Sequence, residues 1–166
     1  MQLVISDSST LIHLSAVNRF GLIREYFPSI YIPQAVYREV ILSGKKRAGS
    51  EEVNQAINNG IITVHDVKNT HMVLSLCHEL HLGEAEVIAL ALECDDPFLL
   101  LDDHDARHVA ERFGLRFTGI IGILIRARIE KKIPSLKVEL EQLQKIGRFW
   151  ISDPVIHKAL KAVGEE

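Results

Sequence analysis

The 166-residue sequence predicts an α/β fold in which a parallel sheet is covered by helices on both faces. Three observations lead there. Strand-like and helix-like segments alternate along most of the chain. The run PFLLL is continuously apolar, as in a strand buried on both sides. Helix start and stop residues bracket the segments between strands, with Pro33 opening one and Gly60 and Gly114 closing two others.

In chain order, residues 2–6 (QLVIS) form a first strand, and TLIHLSAV (10–17) and NRFGLIREYF (18–27) form two helices. SIYIP (29–33) is a strand and PQAVYREVIL (33–42) a helix. SGKKRAG (43–49), with two glycines among basic residues, reads as a mobile loop. EEVNQAINNG (51–60) is a helix and IITVHDV (61–67) a strand. NTHMVLSLCHEL (69–80) and GEAEVIALALEC (83–94) are helices with a break at Gly83. PFLLLD (97–102) is a strand, DARHVAERFG (105–114) a helix and LRF (115–117) a short strand. Helices follow over 119–129 and 134–147, the second capped by Ser135. RFWIS (148–152) reads as a short edge strand, and Asp153-Pro154 opens a last helix over 154–163. The order of the strands is not readable from this pattern.

The length suits one domain able to bury its own core, taken here as 1–166 with a helical extension from about residue 134. There is no internal repeat, low-complexity tract or linker. Cys77 and Cys94 suggest two reduced, buried thiols rather than a disulfide framework, which fits a cytoplasmic protein. No segment reads as a signal peptide or as a membrane span. A formal charge of −3 argues against a generic basic nucleic-acid binder. It turns positive once Asp7, Glu39, Glu84, Asp102 and Asp103 are set aside, so a nucleic-acid substrate is not excluded.

In open α/β sheets, sites form beyond the carboxyl ends of the strands. The first strand ends at Asp7-Ser8-Ser9, the apolar strand at Asp102-Asp103, and LRF at Thr118-Gly119. Carboxylates facing each other there repel, and each raises the other's pKa. A divalent cation would relieve both problems. The plainer reading makes Asp7 and Asp103 helix caps, since each precedes a helix. Glu84 shares a helix face with Val87, Ile88 and Ala91, while Glu86 points elsewhere. Glu39 neighbours Val36 and Val40. Their plainer readings are a favourable charge at a helix start and a solvated surface residue.

Four blocks in this order resemble PIN domains: VISDSSTLIHL, IPQAVYREV, LGEAEVIALALE and LLLDDHDARHVAERFGL. The tail TGIIGILIRARIEKKIPSL looks like a prokaryotic branch of that family. The resemblance implies a three-layer α/β/α fold with a central parallel sheet. It also implies a nuclease that cleaves RNA phosphodiesters with Mg²⁺ or Mn²⁺, in many prokaryotic members the toxin of a toxin–antitoxin pair in the cytoplasm. Asp7, Glu39, Glu84 and Asp103 match the catalytic acids. Asp7, Glu84 and Asp103 would hold the metal, with Asp102 in reserve. Glu84 stands where the family usually has Asp, a longer arm that would move the metal. Ser9 matches a small polar residue that orients Asp7 or a metal-carried water, and Thr118 is a feature of the branch. The oxygen-only donor set suits these hard cations, which can activate water and stabilise charge on a phosphate. A PIN-like module that binds nucleic acid or protein without cutting is the alternative.

Other features have competing readings. His78-Glu79-Leu80-His81 lacks the HExxH spacing, and His104 and His108 could share a face for a transition metal but read first as surface residues. Phe149 and Trp150 read as core or edge packing, not as a platform for stacking bases. Arg126 and Arg128 read either as part of a solvated helix end or as contacts to substrate phosphates. The apolar residues of GIIGILIRARI exceed one helix stripe, which points to burial on two sides or to a homodimer, the latter also implied by the resemblance. RNA is the expected substrate, with DNA left open, and an antitoxin protein is the expected partner of a toxin.

Overall fold

Five parallel strands form one sheet in the order β3-β2-β1-β4-β5: β1 (Leu3–Ser6), β2 (Ile30–Pro33), β3 (Ile62–His65), β4 (Pro97–Leu100) and β5 (Arg116–Thr118). The structure is a computed structural model that describes residues 3–43 and 46–166. Gln2, in the expected first strand, and part of the expected 43–49 loop therefore lie outside the described residues. The central strands are the most apolar. Ile5 pairs in register with Tyr31 on one side and Leu99 on the other, and Ile5, Ile30, Ile32 and Leu99 are fully buried. Burial on both faces is why these segments lack a polar alternation.

The helices are α1 (Ser8–Ala16), α2 (Phe20–Tyr26), α3 (Gln34–Tyr37), α4 (Ser50–Asn58) and α5 (Thr70–Leu76). They continue with α6 (Leu82–Leu92), α7 (His104–Arg112), α8 (Ile120–Ile129), α9 (Leu136–Lys145) and α10 (Asp153–Val163). α6 meets β1, β2 and β4 and packs with α3, α5 and α7. α1 packs with α2, α4 and α8. The result is the three-layer α/β/α arrangement. α9 and α10 lie against α8.

Several expectations are corrected. The helix over 33–42 changes register, because α3 continues as a π-helical turn at Arg38–Leu42 that is closed by the Ser43 N–H donating to Arg38 O at 2.8 Å. Gly83 does not break the chain before α6 but sits in its first turn. α6 carries no apolar stripe; it is buried nearly all round, because the sheet and three helices surround it. Residues 148–152 form no strand. The Phe149 N–H closes the end of α9 on Leu143 O at 3.1 Å and cannot join a ladder. Trp150 is not packed, being 83% exposed. Ser152, not Asp153, is the N-cap position of α10. Cys77 is exposed rather than buried; Cys94 is half-buried, and both are free.

The crowded apolar surface of α8 is covered within the chain except at its last residue, Ile129, which is exposed. Ile120, Ile123 and Leu124 are buried, and Ile121 and Ile125 are half-buried against the core. Among the described residues, no helix is long and apolar enough to cross a membrane.

Candidate functional site

The strand order reverses at β1, with β2 on one side and β4 on the other. Chains leaving β1 and β4 therefore part in opposite directions and open a crevice at their carboxyl ends. Asp7 follows β1, and Asp102 and Asp103 follow β4. The Asp7 N–H donates to Leu100 O at 3.0 Å, extending the pairing to the rim of the crevice.

Asp7 is held by two backbone donors. One oxygen accepts from the Thr10 N–H at 2.8 Å, capping α1, and the other from the Asp102 N–H at 3.0 Å. Its side chain is buried, and that burial, with the nearby Asp102 charge, pushes its pKa up to about 7 despite the donors that favour the charged form. Asp102 is buried as well, which raises its pKa. Its carboxylate accepts from Thr10 Oγ1 at 2.8 Å and from the Ile120 N–H at 2.9 Å, and pairs with Arg107 at 3.4 Å. Asp102 thus joins β4, α1 and the start of α8. Gly119 is required beside it, since a Cβ there would collide with Arg107, Asp102 and the Leu101 carbonyl.

Two helices bring further acids. The π-helical turn carries Glu39, whose Oε2 accepts from Ser8 Oγ at 2.5 Å. Glu39 also lies against Gly83, leaving no room for a Cβ there. Glu84, in the first turn of α6, accepts from the His81 N–H at 3.2 Å. Burial raises its pKa first, followed by the charges of Asp103 and, more weakly, Glu39. Asp103 caps α7 through the Ala106 N–H at 2.9 Å.

These acids border two adjoining hollows. Asp7, Ser8, Ser9, Glu39 and Glu84 line one of about 420 Å³. Glu84 and Asp103 line the other, of about 330 Å³, and His81 borders both. Three helix N-termini, those of α1, α6 and α7, point into this region and offset part of the crowded negative charge. Asp7, Glu84 and Asp103, which serve helix starts, therefore also border these hollows. Among the described residues, no three His, Cys, Asp or Glu side chains stand in a ready metal-ligating arrangement. The donors are nonetheless all oxygens, and Glu39 and Glu84 reach the hollows on flexible arms.

The remaining predicted residues have other partners. Ser9 Oγ lies 3.1 Å from His13 Nδ1, and the hydroxyl that meets Glu39 is that of Ser8. Thr118 Oγ1 stands against Gly122 of α8. Arg126 pairs with Glu130 at 2.8 Å and stacks on Tyr26, while Arg128 pairs with Glu165. Both arginines sit in the last turn of α8, roughly 9 Å along the axis from its first turn at the crevice, and the structure does not bring them to the acids. His104 is solvent-exposed beside Asp105. Thr10, Gly83 and Arg107 emerge only from the structure. The run Ser8-Ser9-Thr10 after Asp7 was the available signal for the first.

The chain matches the PIN-domain family model DUF3368 over residues 3–165. It belongs to the PIN-domain family. None of the curated proteins compared with it matches. PIN domains are generally nucleases that use divalent metals, and in this PIN domain Asp7, Asp102 and Asp103 lie at the switch point of the sheet.

Proposed function

We propose that the protein is a metal-dependent endoribonuclease, with Asp7, Glu39, Glu84 and Asp103 as its catalytic acids and Mg²⁺ or Mn²⁺ as its cation. The observation that carries this reading is the convergence of carboxylates from β1, the π-helical turn, α6 and the end of β4 on two joined hollows. Asp7, Glu84 and Asp103 would hold the metal. A bound cation would stabilise charge on the phosphate and acidify water. Within the chain, Thr10 and the Asp102 N–H fix the Asp7 carboxylate, and Ser8 orients Glu39. Burial raises the Asp7 pKa in the metal-free chain, and a bound cation would favour its ionised form. Asp102 serves as the pin between β4, α1 and α8, and as a ligand only in reserve.

The test is cleavage of a panel of RNAs by the purified protein, with and without Mg²⁺ or Mn²⁺, beside single-stranded DNA of the same sequences. Cleavage should require metal, and Asp7→Asn should lower it by about a hundredfold or more. Equal rates in wild type and Asp7→Asn would sink the proposal.

A second reading, a module that binds RNA without cutting it, is favoured by one observation: Asp7, Glu84 and Asp103 all serve helix starts, and no three donors are pre-arranged for metal. Binding without cleavage in the same panel would select it. The toxin role, an antitoxin partner and a homodimer extend the proposal through the family. Growth arrest on induction, relieved by Asp7→Asn, tests the first. The homodimer would need a face other than α8's covered apolar surface, and a monomer by light scattering at tens of micromolar would remove it.

A further inference from the structure

In a protein of net charge −3, an acidic hollow gives a polyanion little Coulombic help beyond that of a bound cation. Stacking on a neutral ring does not depend on that help. Trp150, which is highly buried in most proteins, is 83% exposed here. It stands between α9 and α10 in a stretch without regular structure. Its neighbour Phe149 faces inward, its ring edge-on to His13 with centroids 5.0 Å apart. His13 Nδ1 lies 2.8 Å from Ser9 O, and Ser9 lines the hollow that holds Asp7 and Glu39. Phe149, His13 and Ser9 thus connect the segment bearing Trp150 to the wall of that hollow. On the other side of Phe149 is Arg148. It is exposed, has a left-handed φ of 52°, and has no ion-pair partner among the described residues. Arg126 and Arg128, by contrast, are already paired.

We propose that Arg148 and Trp150 form a nucleotide subsite beside the acidic hollow. Trp150 stacks on an unpaired base of the RNA strand, and Arg148 meets an adjoining phosphate. The inference rests on the ribonuclease reading above and adds where the substrate is held. It requires single-stranded RNA, because a base within a duplex has no free face to offer.

Trp150 is the only tryptophan in the chain, so its emission reports on this position alone. A short single-stranded RNA titrated into the Asp7→Asn variant with Mg²⁺ should quench that emission saturably, and the same sequence as a duplex should quench it less. In the active protein, Trp150→Ala should raise KM about tenfold with kcat unchanged, the usual scale for one lost stacked base. Trp150→Phe should keep most of the affinity. Arg148→Gln should lower the salt dependence of binding by about one phosphate contact. Emission unchanged while RNA binds, or wild-type KM in Trp150→Ala, overturns the subsite and leaves the ribonuclease reading standing. A wild-type protein that neither binds nor cleaves RNA overturns both.

Discussion

At Gly83 a missing side chain has a measurable role. A Cβ there would fall on the Glu39 carboxylate, the far end of a flexible arm, rather than on backbone. The carboxylate can move away at little cost, and alanine suits a helical position better than glycine by about 0.5–1 kcal/mol. Gly83→Ala should therefore melt no lower than wild type. It should also separate Glu39 from Ser8 and reduce metal-dependent cleavage by roughly tenfold or more, as displaced supporting groups do at metal sites. Parallel thermal melts and cleavage assays decide this: full activity in Gly83→Ala would remove Glu39 from the site, or Gly83 from its control. Asp7 and Asp103 were legible in the sequence because each follows a strand and precedes a helix, whereas Glu39 and Glu84 were singled out by the resemblance to PIN domains. Gly83's contact with Glu39 was not legible, because it joins residues far apart in the chain.

Among the elements, short α3 is the exposed link. It has four residues and no side-chain cap of its own, and it continues straight into the π-helical turn bearing Glu39. The Ala35 N–H at its start is met instead by Glu86 of α6 at 2.8 Å. A helix this short has little internal stability, so this borrowed cap helps decide where the π-helical turn sits. Glu86→Ala should cost about 1 kcal/mol, the usual scale for a lost cap. It should lower cleavage more than a matched exposed control such as Glu111→Ala does. Urea denaturation measures the first effect and kcat the second. An unchanged midpoint would show that Glu86 does not hold α3. The sequence reading placed Glu86 away from the acid face, as found, but could not supply its partner on another helix.

Over the whole molecule, the clustered acids give stability a distinctive pH dependence. Asp7 has a reference pKa of 3.8 and a folded value near 7. Between those values the native state binds more protons than the unfolded chain, so stability falls as pH rises. Glu84 and Asp102 shift in the same direction through burial. In EDTA, the urea midpoint should therefore decline from about pH 4 to about pH 7, where the folded Asp7 loses its proton. Asp7→Asn should flatten that decline. Mg²⁺ or Mn²⁺ should raise the melting temperature more at pH 7.5 than at pH 5, since a ligand of the native state stabilises it and ionised carboxylates bind it best. A midpoint that rises across the same window would mean the acids are not held together as described.

The alternation of strand and helix, the buried apolar strands and the acids that follow β1 and β4 can all be read from local sequence. Hydrophobic period and cap chemistry act between near neighbours, and they were enough to predict a parallel α/β sheet with acids at its carboxyl edge. Ser135 as the cap of α9 belongs to the same class. The strand order, with its reversal between β1 and β4, depends on which faces pack together, and a periodic pattern does not encode that. The same limit applied to RFWIS. Its aromatic residues suit a strand, but the Phe149 N–H was taken by α9, leaving Trp150 in solvent. Arg126 and Arg128 looked suited to substrate by charge alone. Their partners Glu130 and Glu165, and the length of α8, set them at the end of that helix away from the acids. Charge and propensity are properties of residues, whereas distance to a partner is set only when distant segments meet.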